Sequence, residues 1–468
     1  MTAPRAHTAH GHWLDQLGPV EPFAELEGRL DADVVVVGGG YTGMWTAWRI
    51  RELEPEARVV LLEANRCGTG PRGRNGGFVL DLWDSLPGIR ELFGNAAGLE
   101  LCDAAEESVA AVGAWCQRED VDAWFTHRGM LQVSAAPAQD GAWDDVVRGC
   151  EQLGRPGAAV ALDAAGTRAR CASPRFRGAA LFPGCGTVNP GRLAAGLRVR
   201  LAEAGAEIRE RSPVRRLDAG PWGVLASTHR GQVRAGVAVI AAGAAGTRVP
   251  RLRNRLAVAS SHMVVTEPVP DLLDELGWTG GEAIIDSRHL VHYFRATRDR
   301  RIAFGWGGGR VVPDARLGGR AEVDPEVISE VIRTLHWFFP QLAGRRIDHA
   351  WGGPIDVSPI HLPMVGSLDP DPVHYAFGFT GNGVGPTQLV GRVLASLALG
   401  RRDEPTRLAI VEPPTGRVPP EPLRWLGGTL VRKAMVRKEG LEQEGAAVDL
   451  PTRAVAGLPE LIGVKTSR

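Results

Sequence analysis

The chain has 468 residues, a formal net charge of zero and a sequence pI of about 7.2. Its length favours two or three domains, and its balanced charge excludes a general electrostatic attraction to nucleic acid. Six cysteines without a C-x-x-C pair predict reduced, mostly buried thiols. No signal peptide is recognisable and no apolar run reaches the ~18 residues of a membrane span, so we expect a cytoplasmic protein.

The first predicted element is a buried parallel strand in DADVVVVGGGYTGMW, because its four consecutive valines suit a strand covered on both faces. Three glycines at G-x-G-x-x-G spacing follow: Gly38, Gly40 and Gly43. They permit a tight turn, close approach of a pyrophosphate and close helix packing. We predict the helix over about 42–53 and a second strand, RVVLLE, that ends at Glu63, the acid expected to bind a ribose. The pattern predicts a Rossmann-like dinucleotide fold.

A second glycine-rich loop, GPRGRNGGF, follows the second strand. A nicotinamide enzyme would continue into another crossover helix, whereas an anion-binding loop suits a longer cofactor. Further on we predict a helix over about 190–204, a strand that reaches Val214 and another strand that ends near Gly243, where the backbone would approach the nucleotide. A late strand and turn, HYAFGFTGNGVG, lead into a helix near Gly385 whose dipole can face a developing anion.

Two excursions interrupt these nucleotide-binding segments. The first is predicted to hold amphipathic helices and a strand pair around FTHRGMLQVSA, and the second an antiparallel meander in EAIIDSRHLVHYFRATRDRRIAFGW. On the middle strand of the meander, side chains alternate between faces. Leu290, His292 and Phe294 share one face, and Val291, Tyr293 and Arg295 share the other.

The motifs GRNGGF, NPGRL, WGGPIDVSP and GFTGNGVG give the chain a resemblance to the FAD-dependent D-amino-acid oxidase superfamily over roughly residues 12–425. Within its glycine-oxidase and sarcosine-oxidase branch, the chain is most similar to gamma-glutamylputrescine oxidase-like proteins. The resemblance implies FAD, with the late turn lining its reactive ring and Val214 holding its adenine through the backbone. The predicted cofactor-binding residues are Gly38, Gly40, Gly43, Glu63, Arg74, Asn75, Gly76, Gly77, Val214, Gly243, Gly381, Asn382, Gly383 and Val384.

The fold class that follows is α/β, a Rossmann-like FAD-binding domain with an interleaved antiparallel-sheet (α+β) substrate domain. The FAD-binding domain is assigned to 31–85, 166–250 and 346–400. The substrate domain is assigned to 86–165 and 251–345. The remaining residues, 401–468, form a C-terminal tail.

Members of this branch oxidise a C–N bond by passing hydride equivalents to flavin, and water then hydrolyses the imine. We expect FAD to be bound without a covalent link, because the early glycine-rich loop contains no histidine. We expect no metal site, because the histidines lack ligand spacing with an acidic partner. The predicted catalytic residues are Tyr293, Gly381 and Asn382, and the predicted substrate contacts are Tyr293, His292 and Asp356. Three possibilities stay open: an amine oxidase that uses oxygen, a dehydrogenase with a quinone or protein acceptor, and a non-catalytic flavoprotein.

Two departures from the glycine oxidases bear on the substrate. Those enzymes place an arginine in each of two stretches to hold the substrate carboxylate, and this chain has Ile355 and Gly381 there. The resemblance therefore implies an amine that is not recognised by an α-carboxylate, such as a gamma-glutamylated polyamine or an N-alkyl amine. Asp356 could pair with a further ammonium group. The arginines that could restore carboxylate binding are Arg128, Arg288 and Arg295.

The tail contains a predicted amphipathic helix in EPLRWLGGTLVRKAMVRKEG. Five basic and two acidic residues between Glu421 and Gly440 give it a net charge of +3. Such a helix could rest on an anionic membrane surface or pack on its own subunit or a dimer mate. The first lysine of the whole chain is Lys433, so oxygen reactivity is not expected to depend on lysine.

Overall fold

The computed structural model describes residues 6–7, 11–70, 73–313, 316–414 and 416–461. Its strands are β1 (Ala6–His7), β2 (Gly28–Val37), β3 (Val59–Leu62), β4 (Phe78–Val79), β5 (Met130–Ser134), β6 (Val160–Leu162), β7 (Gly178–Phe182), β8 (Gly186–Thr187), β9 (Glu207–Arg209), β10 (Arg216–Gly220), β11 (Gly223–Ser227), β12 (Gly231–Ile240), β13 (Ala257–Thr266), β14 (Ala283–Asp286), β15 (His292–Ala296), β16 (Ile302–Trp306), β17 (Ile347–Val357), β18 (Met364–Ser367) and β19 (Val373–Phe377). Its helices are α1 (His12–Asp15), α2 (Tyr41–Leu53), α3 (Leu86–Arg118), α4 (Asp144–Gln152), α5 (Ala164–Arg168), α6 (Pro190–Glu203), α7 (Pro270–Glu275), α8 (Pro325–Phe338), α9 (Val384–Ala398), α10 (Leu423–Gln443), α11 (Leu450–Ala456) and α12 (Leu458–Leu461).

One of two large sheets, the Rossmann sheet, has eight strands built around the parallel order β12-β2-β3-β9. The strands β10 and β11 continue it in antiparallel fashion, and β19 pairs in parallel with the end of β12 and with β18 beyond it. Val34, Val35 and Val36 of β2 are buried and Val37 is half-buried, as expected for a strand covered on both faces. This sheet confirms the predicted fold class.

The second sheet, the roof sheet, has nine strands in the order β1-β17-β13-β16-β15-β14-β5-β7-β6. Its centre is the predicted meander, because β14, β15 and β16 pair in antiparallel fashion in sequence order. On its outer face Phe294 of β15 packs at 5.0 Å from Phe304 and at 5.1 Å from Phe338 of α8, measured between ring centroids. An aromatic core therefore fixes which face of β15 points away from the Rossmann sheet.

The chain crosses between the two sheets more often than the predicted domain ranges allow. Both β7 and β17 belong to the roof sheet, although they fall within the segments predicted for the FAD-binding domain. Conversely, α3 of the predicted substrate domain packs against α2, where Trp115 lies edge-on to Trp45 and Trp48 at 5.0 and 5.5 Å. The boundaries at 166 and 346 thus need correction, because strand pairing joins segments that are distant in sequence.

All six cysteines are buried and unpaired, as the sequence predicted. Among the helices of the described residues, none combines the length and the apolar character that a membrane crossing requires.

Candidate active site

A continuous cavity of about 1690 Å³ is lined by residues of both sheets. It begins at the carboxyl ends of β2 and β3 and extends to the inner face of the roof sheet around β13, β15 and β17. Ordinary small-molecule sites measure roughly 300–1,000 Å³. The cavity therefore has room for a dinucleotide together with a further small molecule.

The turn between β2 and α2 can only be built from glycine. Gly38 has φ 115°, and a Cβ on it would lie 2.5 Å from the Ala241 carbonyl oxygen. A Cβ on Gly43 would lie 1.9 Å from the Gly38 oxygen. Gly40 caps α2 without a side chain, so the N–H groups of the first helical turn face the cavity, as suits a phosphate.

The acid at the end of β3 is held in one orientation by backbone donors. Glu63 Oε2 accepts from Gly39 N at 2.7 Å, and Oε1 accepts from Asn65 N at 2.8 Å. Burial raises the pKa of Glu63 above its ordinary value. Val214 and Gly243 line the same end of the cavity, and the Val214 N–H has no protein partner among the described residues.

The glycine-rich loop after β3 is fastened by two tryptophans. The indole N–H of Trp13 donates to the Asn75 carbonyl at 2.9 Å, and that of Trp351 donates to the Arg74 carbonyl at 2.7 Å. The Asn75 side chain accepts from Gly77 N at 2.8 Å. Arg74, Asn75 and Gly76 line the cavity, whereas Gly77 lies behind them.

The late turn lines the cavity and has an unusual backbone. Thr380 and Gly381 both have left-handed backbone, with φ 49° and 84°, and a Cβ on Gly381 would meet no atom within 4 Å. Gly383 is the N-cap of α9 and, like Val384, lines the cavity. The N-terminus of α9 therefore lies at the cavity, as the N-terminus of α2 does.

Tyr293 of β15 lies on the inner face of the roof sheet. Its hydroxyl is 2.8 Å from Ser261 Oγ, and its ring packs edge-on to Phe78 at 5.7 Å. A Cβ on Gly305 would lie 2.3 Å from the Tyr293 ring, so the glycine of the neighbouring strand makes space for it. Burial raises the pKa of Tyr293 to about 12, which keeps the phenol neutral at ordinary pH.

The last residues of β17, among them Ile355 and Asp356, also line the cavity. Asp356 Oδ2 accepts from Gly378 N at 2.5 Å, and the Asp356 carbonyl accepts from Thr380 N at 2.9 Å. Asp356 therefore fixes the start of the late turn from both its side chain and its backbone.

Residues 33–397 match the family described as FAD dependent oxidoreductase, DAO. The chain belongs to this family. It is 30% identical over 382 residues to gamma-glutamylputrescine oxidoreductase of Escherichia coli (strain K12), a match that covers 81% of this chain and 86% of the relative. These findings confirm the resemblance, and this DAO-family protein is an FAD-dependent oxidoreductase.

Solved structures share its fold. Glycine oxidase from Geobacillus kaustophilus superposes with a TM-score of 0.66 at 20% identity, covering 80% of this chain and 96% of that one. L-proline dehydrogenase from P. horikoshii superposes with a TM-score of 0.66 at 19% identity, covering 82% and 96%. The same architecture is thus found in an oxidase and in a dehydrogenase.

The residues of this structure fit the FAD that the family requires. Two helix N-termini open on one cavity, the dinucleotide turn admits no side chain, and an oriented acid ends β3. The described residues contain no group of three or more His, Cys, Asp or Glu side chains that could hold a metal ion.

Most of the predicted site residues line this cavity, but four do not: Gly43, Gly77, Asn382 and His292. Gly43 and Gly77 lie behind the wall, and Asn382 donates from Nδ2 to the Asp81 carbonyl at 3.2 Å and borders a small neighbouring cavity instead. Asn382 therefore has a positioning role in the turn, and its assignment as a residue that lines the cofactor cavity needs correction.

His292 lies on the opposite face of β15 from Tyr293. Its Nδ1 is 2.8 Å from Asp286 Oδ2, its ring stacks on Trp306 at 5.7 Å, and burial lowers its pKa. It does not line the cavity, so the predicted substrate contact needs correction. The physical reason is that strand alternation sends the side chains of successive residues to opposite faces.

The sequence analysis missed that α10 closes one side of the cavity. Gly428, Val431, Arg432 and Met435 of this helix are lining residues. The basic and apolar composition of the tail was the available signal; packing on its own subunit was among the interpretations left open, but contact with the cofactor cavity was not predicted.

Proposed function

We propose that this enzyme oxidises the C–N bond of an amine without a carboxylate on the reacting carbon, with oxygen as acceptor. Gamma-glutamylated diamines and N-alkyl amines are the favoured substrates. For a primary amine, the balanced reaction converts amine, oxygen and water into an aldehyde, ammonia and hydrogen peroxide. FAD, when bound, supplies the two-electron acceptor for the hydride equivalent of the C–H bond.

The observation that carries the proposal is the composition of the wall where a carboxylate-binding arginine would stand. Ile355 and Gly381 both line the cavity, and neither can donate a side-chain hydrogen bond. Of the three arginines that could replace them, Arg295 donates to the Gly77 and Val188 carbonyls, and Arg128 is exposed outside the cavity. An α-carboxylate next to Ile355 would therefore be desolvated without a charged partner.

The third arginine, Arg288, does line the cavity but is already engaged. Its Nη1 lies 3.1 Å from His292 Nδ1 and 3.5 Å from Asp286 Oδ2, and its Nη2 donates to Gln443 at 2.6 Å. A substrate carboxylate would have to compete with these internal partners.

The remaining residues of the inner face bind and shield the substrate. Tyr293, neutral and held by Ser261, can pack on the substrate and orient it. Val291, Met263 and Ile355 make the surrounding wall apolar, which excludes water and favours the uncharged amine. We propose that the main role of Asp356 is structural, because its Oδ2 accepts a hydrogen bond from Gly378 N.

We propose that FAD is held by the residues of the cavity wall without a covalent bond. The cofactor-binding assignment is Gly38, Gly40, Glu63, Arg74, Asn75, Gly76, Val214, Gly243, Gly381, Gly383 and Val384, with Gly43 and Gly77 supporting them from behind. All six cysteines are described, and none of them lines the cavity. The glycine-rich loop contains no histidine.

The second candidate is a dehydrogenase that passes electrons to a quinone or protein. It is favoured by the lack of any lysine before Lys433, since a buried cation attracts the negative charge that develops on oxygen. Peroxide yield per amine oxidised separates the candidates: a yield near one supports the oxidase, and turnover only with an added dye or quinone supports the dehydrogenase.

The test of the substrate class is an anaerobic panel followed by flavin bleaching. Gamma-glutamylputrescine and N-alkyl amines are expected to reduce the flavin faster than glycine, sarcosine or D-alanine. In addition, Ile355→Arg is expected to raise kcat/KM for glycine roughly tenfold or more, since one charge-assisted hydrogen bond is worth about 1.5–3 kcal/mol. Ile355→Leu is the matched control and should leave the order of substrates unchanged. Glycine or D-alanine as the best wild-type substrate would contradict the proposal.

A further inference from the structure

We propose that Arg432 of α10 binds a carboxylate at the end of the substrate remote from the reacting amine, and so determines specificity for acidic, gamma-glutamyl-type amines over simple ones. The inference rests on the proposed function and names the substrate class more closely. It concerns a carboxylate several bonds from the reacting carbon, not the α-carboxylate that Ile355 and Gly381 fail to bind.

The guanidinium of Arg432 is fixed by its inner edge. Its Nε donates to the Gly308 carbonyl at 2.9 Å and also to the Gly309 carbonyl. The guanidinium carbon lies 5.6 Å from the centroid of the Trp306 ring. Because these contacts hold the base of the group, its plane is oriented before any ligand arrives.

The outer edge of the same guanidinium has no protein partner. Neither terminal nitrogen of Arg432 is hydrogen-bonded or ion-paired to a described residue, and Arg432 lines the cavity beside Val431 and Met435. Two parallel N–H donors on a planar group match the two oxygens of a carboxylate. A half-buried arginine with this edge free is therefore suited to bind an anion inside the cavity.

Arg432 is anchored close in sequence to the glycine that lies against Tyr293. Its anchor, Gly308, follows Gly305 by three residues, and Gly305 lies under the Tyr293 ring. Consecutive Cα atoms are 3.8 Å apart, so the two glycines are separated by at most about 11 Å. An extended gamma-glutamyl diamine carries its amine and its carboxylate at the two ends of a chain that can reach over such a distance.

The subsite comes from outside the part of the chain that defines the family. The family match ends at residue 397, and α10 begins at Leu423. The matched region thus contains most of the cofactor cavity, while α10, outside that region, supplies a charged group to its lining. Such a division suits a residue that selects substrates without taking part in the oxidation itself.

The experiment compares the holoenzyme with Arg432→Gln, Arg432→Lys and the control Arg437→Gln. Arg437 lies on the same helix, pairs with Asp449 at 3.0 Å and does not line the cavity. The substrates are gamma-glutamylputrescine and its α-carboxamide analogue. Glutarate, which cannot be oxidised at a C–N bond, is titrated against the flavin absorbance to measure binding without turnover.

We expect Arg432→Gln to lower kcat/KM for the acid by about 10- to 150-fold, mainly through KM, because an interaction remote from the reacting atoms contributes uniform binding. The carboxamide should be unaffected, glutarate should bind more weakly by a similar factor, and Arg432→Lys should retain part of the effect as a point charge. Arg437→Gln should behave as the wild type.

Equal losses for the acid and the carboxamide would overturn the proposal, because they would show a structural role. So would a wild-type enzyme that treats the two substrates alike, a result that does not depend on any variant folding. If glutarate binding depends on Arg432 but no amine reduces the flavin, the subsite is supported and the proposed function is contradicted. If amines are oxidised and Arg432→Gln does not change their oxidation, the proposed function is supported and the subsite is contradicted.

Discussion

The attachment of α10 to the cavity should weaken as the pH rises, and Glu439→Gln should remove most of this dependence. Glu439 is buried on α10, and its Oε1 accepts from Leu290 N at 3.0 Å. The pKa of Glu439 is raised to about 7, chiefly by burial and also by the nearby Asp286, although the Leu290 hydrogen bond, Arg288 and Lys438 act in the opposite direction.

The magnitude follows from the difference between the ordinary pKa of 4.5 and the value of about 7 in the folded protein. One pKa unit corresponds to 1.36 kcal/mol, so the protonated form stabilises the docked helix by about 3 kcal/mol relative to the ionised form. The folded pKa is raised, so this contribution is fully present below pH 4.5 and is lost as the pH rises through 7. Between pH 5 and pH 8 the opening equilibrium of α10 should increase roughly 50- to 100-fold.

Hydrogen exchange of the α10 amides, corrected for the intrinsic effect of pH, measures this opening. The wild type should lose protection across that interval, whereas Glu439→Gln, which imitates the protonated acid, should stay nearly constant. Glu442→Gln is the control, because Glu442 pairs with Lys438 at 2.9 Å and is not fully buried. A pH dependence in Glu439→Gln equal to that of the wild type would refute the assignment.

Three further predictions concern the flavin. Gly43→Ala should yield protein with little FAD, because the added Cβ would lie only 1.9 Å from the Gly38 oxygen and such overpacking costs about 1–3 kcal/mol. The ratio of visible flavin absorbance to protein absorbance measures the FAD content, and full occupancy would contradict the prediction. Acid precipitation should release the yellow colour into the supernatant, and colour that stays in the pellet would show a covalent bond. Lys433→Met should leave the peroxide yield unchanged, since Lys433 is exposed and does not line the cavity; loss of peroxide with intact anaerobic reduction would be the contrary result.

Local rules of backbone geometry made much of the Rossmann sheet predictable. The helix predicted over 42–53 runs from Tyr41 to Leu53, and the one predicted near Gly385 begins at Val384. Glycine spacing and helix capping depend on neighbours within a few residues, which is why the sequence contains enough information to place them.

Features that depend on long-range pairing were not predictable in the same way. Strand alternation correctly separates Tyr293 from His292, but choosing the face that meets the cavity requires knowing that α8 covers the other one. Similarly, β17 carries the family motif WGGPIDVSP and was assigned to the FAD-binding domain, although its pairing with β13 places it in the roof sheet. Motifs identify chemistry at a position, whereas sheet membership depends on distant partners.

The tail shows why a net charge alone is weak evidence about a binding surface. Its basic residues suggested an anionic partner, yet the structure turns them in different directions. Arg424 bonds to Glu421 and to backbone carbonyls, Arg437 to Asp449 and Lys438 to Glu442, while Arg432 bonds to the Gly308 carbonyl and lines the cavity. Leucines remain exposed on the outer side of α10, at Leu423, Leu426 and Leu430. Because most of the charge is neutralised locally or lies at the cavity, these contacts give the membrane interpretation no support, and the role that we propose for Arg432 rests on its position and not on the net charge of the helix.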